Sequence, residues 1–310
     1  MRRARPADDR IAAVVQRLGV LLSAGVTPAS AWAHLAETAG APEGVVRVAE
    51  AVSEGETIPD AVLARAETAV AARPAPPDAE LWRGLAAAWM VATETGAPLA
   101  STLDALAGSL RDMAQTRRAR ETALAAPVAT ARLVLALPTV GILFGLALGF
   151  DTVGTLLTTP IGLVCLVAGV ALMVAARAWN RRLMAGAEPT KHNPGIALDL
   201  VAVAVSGGAA LDRALATVER ALERCGLGGG TAEADEVLEL SRRAGVPAAA
   251  LLRAQAEEAR RSARADGERS AATLSVTLML PLGLCILPAF MLLGVAPLMV
   301  SVVTTTVGGL

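Results

Sequence analysis

Tyrosine is absent from the 310 residues, and aromatic side chains make up only 2% of them. Lysine occurs once, at Lys191, so nearly all the positive charge is arginine. The two histidines, His34 and His192, are far apart, and neither sits in a cluster of Asp, Glu or Cys. A zinc site needs several such ligands brought close together, so a metal centre is not expected. Cys165, Cys225 and Cys285 are odd in number and lack CxxC spacing. They read as small buried hydrophobes, which excludes a disulfide framework. No serine stands in Gly-x-Ser-x-Gly. Gly226-Leu227-Gly228-Gly229-Gly230 lacks a following Gly-Lys-Ser/Thr and a preceding strand, so it reads as a linker rather than a phosphate loop. The basic start Met1-Arg2-Arg3-Ala4-Arg5 runs into Pro6-Ala7-Asp8-Asp9-Arg10 where a signal peptide would turn apolar. The chain is therefore expected to begin on the cytoplasmic side. With no acid, base, nucleophile or ligand set in view, the expectation is a protein that is not an enzyme. It should need no cofactor, hold no metal and bind no nucleic acid.

What is present is apolar. Hydrophobic residues make up 54% of the chain, and the mean hydropathy is +0.52. Both are too high for an ordinary soluble domain. Few aromatics beside many Ala, Leu and Arg predict an all-α chain. Leu133 to Phe150 carries no charge, and neither does Thr152 to Ala176; only Asp151 lies between them. A helix needs about 20 apolar residues to cross the hydrocarbon core, so the two runs predict a transmembrane hairpin. A third uncharged run extends from Ser270 to Leu310. Within it Pro281 and Pro288 share a helix face and are expected to kink a single span, two re-entrant pieces being the alternative. Arg117, Arg118, Arg120 and Arg132 precede the first run; Arg177, Arg181, Arg182 and Lys191 follow the second; Arg260, Arg261, Arg264 and Arg269 precede the third. The positive-inside rule then places both polar segments in the cytoplasm and the C-terminus outside. No charge lies deep in any run, which argues against an ion or proton transporter.

The two polar segments resemble each other. Ser23-Ala24-Gly25-Val26-Thr27-Pro28 returns as Ser206-Gly207-Gly208-Ala209-Ala210-Leu211. Thr95-Gly96-Ala97-Pro98-Leu99 returns as Ala244-Gly245-Val246-Pro247-Ala248. The expected domains are a helical bundle over 1–126, the hairpin over 127–180, a shorter bundle over 181–270 and a C-terminal span over 271–310, each bundle with its own core. Gly25, Gly55, Gly96 and Gly245 should end helices, with Pro98 and Pro247 helping to open the next ones. Arg73-Pro74-Ala75-Pro76-Pro77 reads as a loop. Arg47, Glu50, Glu54, Glu56 and Asp60 flank the Gly55 turn as a charged surface that a partner protein would meet, against the plainer reading of a solvated helix face.

Leu21-Leu22-Ser23-Ala24-Gly25-Val26-Thr27-Pro28-Ala29-Ser30-Ala31-Trp32, Glu54-Gly55-x-x-Ile58-x-x-Ala61 and Glu94-Thr95-Gly96-Ala97-Pro98-Leu99-Ala100 occur in an order that resembles the type II secretion system F family. The likeness is nearer to its TadB and TadC branch, and Leu280-Pro281-Leu282-Gly283-Leu284-Cys285-Ile286-Leu287-Pro288-Ala289-Phe290 carries it into the last run. The second repeat departs from the pattern, with Arg243 where the first has Glu94. The resemblance implies an inner-membrane scaffold of a type IV pilus-like or type II secretion machine. Its implied partners are a cytoplasmic ATPase, a paralogous platform protein, pilin subunits and membrane lipid, in an oligomer. The alternative is a small-solute permease or channel subunit, which rarely needs such large cytoplasmic segments.

Overall fold

The computed structural model describes residues 7–71, 79–147, 154, 157, 159–186, 195–228, 231–297 and 299. No strand occurs among them; they are helical, joined by short turns. The helices are α1 (Ala7–Ser23), α2 (Pro28–Ala36), α3 (Glu43–Ser53), α4 (Ile58–Ala71), α5 (Ala79–Thr95), α6 (Leu99–Ala147), α7 (Pro160–Gly186), α8 (Ile196–Ser206), α9 (Leu211–Arg224), α10 (Ala232–Ala244) and α11 (Ala248–Thr277). The loop expected at 73–77 and the hairpin turn at Asp151 lie outside the described residues, as do Lys191, His192 and residues 300–310.

Two compact units result: Met1–Arg117 with Lys191–Arg264, and Arg118–Thr190 with Ala265–Leu310. In the first, α5 packs against α1, α4, α8 and α9. Its sequence explains the central position. Leu81, Trp82, Leu85, Ala86, Ala87, Ala88, Trp89 and Val91 leave no polar side on which to face water. Trp32, Trp82 and Trp89 form a cluster, with Trp32 centred 6.4 Å from Trp82 and 6.3 Å from Trp89. Arg65 lies over the Trp82 ring at 5.7 Å. A side chain at Gly44 would collide with both Trp82 and Arg65, so this glycine makes room for the stack.

Separate cores for the two polar segments were expected, and here the structure differs. Val15, Leu18, Trp32, Val45 and Leu85 share one continuous core with Leu198, Val201, Leu222 and Leu252. The reason lies in α8, where Leu198, Leu200, Val201, Ala202, Val203 and Ala204 are all buried. A helix apolar on every side needs neighbours on every side. The second segment alone brings too few helices to enclose it.

In the second unit α7 packs against the stretch that follows α11. Ala176, Cys285 and Ile286 form a small core, and a Cβ at Gly169 would fall 2.4 Å from Leu293 Cγ. Small residues that let helices approach closely are the usual basis of packing between membrane helices. Pro281 and Pro288 do not break the helix. Instead the coil widens into π turns at Leu282–Ile286 and Met291–Val295. Proline lacks an N–H and presses on the carbonyl one turn back; for Pro288 that is Leu284, inside the first wide turn, and for Pro297 it is Leu293, inside the second, where the wider coil relieves the clash. Pro160–Met184 and Ala248–Val295 are long and apolar enough to cross a membrane. The first of the expected spans lies on α6 as far as Ala147, and its last residues fall outside the described ones.

Candidate functional site

The turns in the first unit are built alike. After α1, the Gly25 N–H reaches the Leu22 carbonyl at 3.0 Å and the Val26 N–H reaches the Leu21 carbonyl at 3.1 Å. After α3, Gly55 bonds Val52 at 3.1 Å and Glu56 bonds Ala51 at 3.0 Å. After α9, Gly226 bonds Glu223 at 3.0 Å and Leu227 bonds Leu222 at 2.9 Å. This paired closure satisfies the last carbonyls of a helix and needs a left-handed residue. Gly25, Gly55, Gly96 and Gly245 have φ of 86°, 101°, 73° and 67°. Pro98 and Pro247 follow two of these glycines, and each offers its carbonyl to the first turn of the next helix. At the Gly55 turn, Thr57 donates its hydroxyl to Asp60 Oδ2 at 2.6 Å and accepts the Asp60 N–H at 3.4 Å. Thr57 thus caps the first turn of α4 through its hydroxyl, which Asp60 holds in place.

The five charged residues singled out around this turn do not behave alike. Glu50, Glu54 and Glu56 are exposed. Arg47 is exposed and pairs with Glu43 one turn back on α3. Asp60 is half-buried and reaches across to the second segment, where Arg224 Nη2 donates to its Oδ1 at 2.6 Å. Asp60 is thus part of the join between segments, and the surface open to a partner reduces to Arg47, Glu50, Glu54 and Glu56.

The pair of Asp60 with Arg224 is one of three links whose partners the sequence motifs did not show. The second is Glu94, in the last turn of α5. Its Oε1 accepts from Arg220 and, at 3.0 Å, from the Thr217 hydroxyl on α9. The third lies deeper. Arg260 Nη1 donates to Asp199 Oδ2 at 2.6 Å, and the Ser109 hydroxyl donates to the same oxygen at 3.2 Å. These side chains join α6, α8 and α11 beside a groove lined by Leu106, Met113, Ile196 and Val203. Burial pushes the Asp199 carboxyl above its ordinary range, and the Arg260 guanidinium pulls against that rise. The signal for this link was present in the sequence: Asp199 is the single charge in α8. Arg243, which stands where the first repeat has Glu94, pairs within its own helix with Glu239 at 2.9 Å. The two copies therefore use equivalent positions differently.

Cys225 is buried, and burial pushes its thiol up to about 11, which leaves little thiolate at neutral pH. His34 is exposed and lies 3.9 Å from Glu37. Among the described residues no group of His, Cys, Asp and Glu is arranged to hold a metal ion.

Residues 14–147 match the family model for the type II secretion system (T2SS), protein F. The matched segment runs from α1 through α6 and includes the Gly25, Gly55 and Gly96 turns. No curated protein matches the chain, and no solved structure does. The matched segment supports the type II secretion system F family, and with the two apolar helices it points to a membrane protein.

Proposed function

We propose that the chain is a non-catalytic inner-membrane platform of a type IV pilus-like or type II secretion machine, of the TadB and TadC kind, coupling a cytoplasmic ATPase to pilin assembly. The single observation that carries this reading is the match of residues 14–147 to protein F of the type II secretion system, on a chain that also holds membrane-length apolar helices. In this reading the protein crosses the membrane three times, with the N-terminus and both polar segments in the cytoplasm and the C-terminus outside. The joined polar segments form the body that the ATPase and a paralogous platform protein grip, and pilin subunits meet the spans. Glu50, Glu54 and Glu56, exposed around the Gly55 turn, give the ATPase a charged surface for steering and register.

Two measurements test it. Reporters fused after Gly154 should appear outside the cytoplasm, and fusions near Ala75 or Gly228 inside. A cytoplasmic signal at Gly154 removes the three-span arrangement. Reversing Glu50, Glu54 and Glu56 to Arg together spares the Asp60–Arg224 pair, so the protein should fold and insert. It should lose pilus assembly or co-purification of the ATPase; normal pili with normal co-purification would clear this surface of that role.

A further inference from the structure

The exposed face of α7 changes character along its length. Leu163, Val167, Val170 and Val174 recur at four, three and four residues, and all are exposed. Continuing the same spacing reaches Arg177 and then Arg181, also exposed. One stripe therefore turns from apolar to cationic within a single turn of helix. Arg182 follows about a quarter of a turn round the helix, and Trp179, 38% exposed, lies at the same depth on the side opposite Arg177 and Arg181. Val174 and Arg181 are separated by roughly 10 Å along the axis at 1.5 Å per residue. That length fits the passage from hydrocarbon to headgroup, where Trp is favoured.

The arginines near the last apolar stretch have their donors occupied. Arg260 is bound to Asp199, Arg261 to Glu257 and Glu258, and Arg269 to Asp266. Arg177, Arg181 and Arg182 make no ion pair or hydrogen bond among the described residues. No Asp or Glu occurs in the sequence from residue 152 to residue 187. Three neighbouring guanidiniums therefore keep their forked donors free for an anion from outside the chain.

We propose that this end of α7 binds the headgroup phosphates of anionic phospholipids, with Arg177, Arg181 and Arg182 as donors and Trp179 as the interfacial anchor. The stripe's continuity decides for lipid over an acidic protein surface, because Arg177 and Arg181 face the same side as the apolar residues that must meet acyl chains. The inference rests on the membrane location of α7 and not on the platform role.

The test uses the full chain in detergent, offered equal amounts of phosphatidylglycerol and phosphatidylcholine with the same acyl chains, with bound lipid read by native mass spectrometry. Each arginine near an anionic headgroup is worth roughly fivefold, so a preference for phosphatidylglycerol on the order of a hundredfold is expected. Replacing Arg177→Gln, Arg181→Gln and Arg182→Gln together should bring the ratio to about one. The three Lys replacements should keep most of the preference, which shows that the fold survives. Arg261→Gln with Arg269→Gln should leave it unchanged, and excess inorganic phosphate should not displace the lipid. No preference in the natural chain, or an equal loss in the Arg261 and Arg269 variant, overturns the proposal. So does loss of ATPase co-purification in the glutamine variant with the lipid ratio intact, which would assign these arginines to an acidic protein surface.

Discussion

Replacing Gly207 by alanine adds one methyl group, and the structure says where it goes. The new Cβ would lie 2.5 Å from the Thr95 carbonyl oxygen and 2.9 Å from the Ala97 nitrogen. Both are backbone atoms in the turn between α5 and α6, so neither can swing aside as a flexible side chain would. Gly207 itself has φ of −74°, which any residue adopts. Dihedral strain therefore contributes nothing, and steric overlap alone sets the sign. Forcing extra volume into a packed seam costs about 1–3 kcal/mol. The lost glycine entropy returns about 0.5–1 kcal/mol to the alanine variant. The net expectation is a loss of about 1–2 kcal/mol, read as a fall of roughly 2–8 °C in the thermal midpoint of the full chain in detergent. Gly108→Ala is the matched control. It sits within α6 with nothing within 4 Å of the new methyl, so it should be stabilising by about 0.5–1 kcal/mol. If Gly207→Ala unfolds at or above the temperature of the natural chain while Gly108→Ala behaves as expected, the two polar segments do not meet at this turn.

Gly96→Val meets no steric obstacle but must hold φ of 73°, so it should cost on the order of 1 kcal/mol or more in a denaturant midpoint. Arg260→Ala leaves Asp199 half-buried without its cation. A fully buried broken pair costs about 3–5 kcal/mol; discounted for partial exposure, about 1–3 is expected here. The Asp199 carboxyl already sits above its ordinary value of 3.8, and losing Arg260 pushes it further up. A carboxyl raised on folding contributes stability below its unfolded value and loses it as pH rises through the folded value, so the variant's deficit should shrink toward pH 3.8 and widen toward neutrality in chemical-denaturation midpoints. A deficit that is flat with pH would disprove the assignment. In the second unit, Gly169→Val should weaken packing by about 1–3 kcal/mol through collision with Leu293, and Leu293→Ala in the same chain should restore part of the lost protease resistance.

Local chemistry made much of this protein legible from its residues alone. An all-α chain follows from helix-forming composition, because propensity and hydrophobic period are short-range properties. Glycine turns can be read because a left-handed residue with a capping residue or proline soon after it is a local requirement, as in Gly55-Glu56-Thr57. Apolar runs of membrane length stand out because the bilayer sets a length scale that composition reports directly. Tertiary structure decided what lies between distant stretches. That the two polar segments share one core follows from α8 being apolar on every side, yet its neighbours are set by packing and by no motif. The pairing of Asp60 with Arg224 and of Asp199 with Arg260 spans 164 and 61 residues. Spacing along the chain carries no information over such distances. Exposed carboxylates and joining carboxylates look the same in a sequence. Only the fold separates Glu50, which faces solvent, from Asp60, which binds an arginine of the other segment.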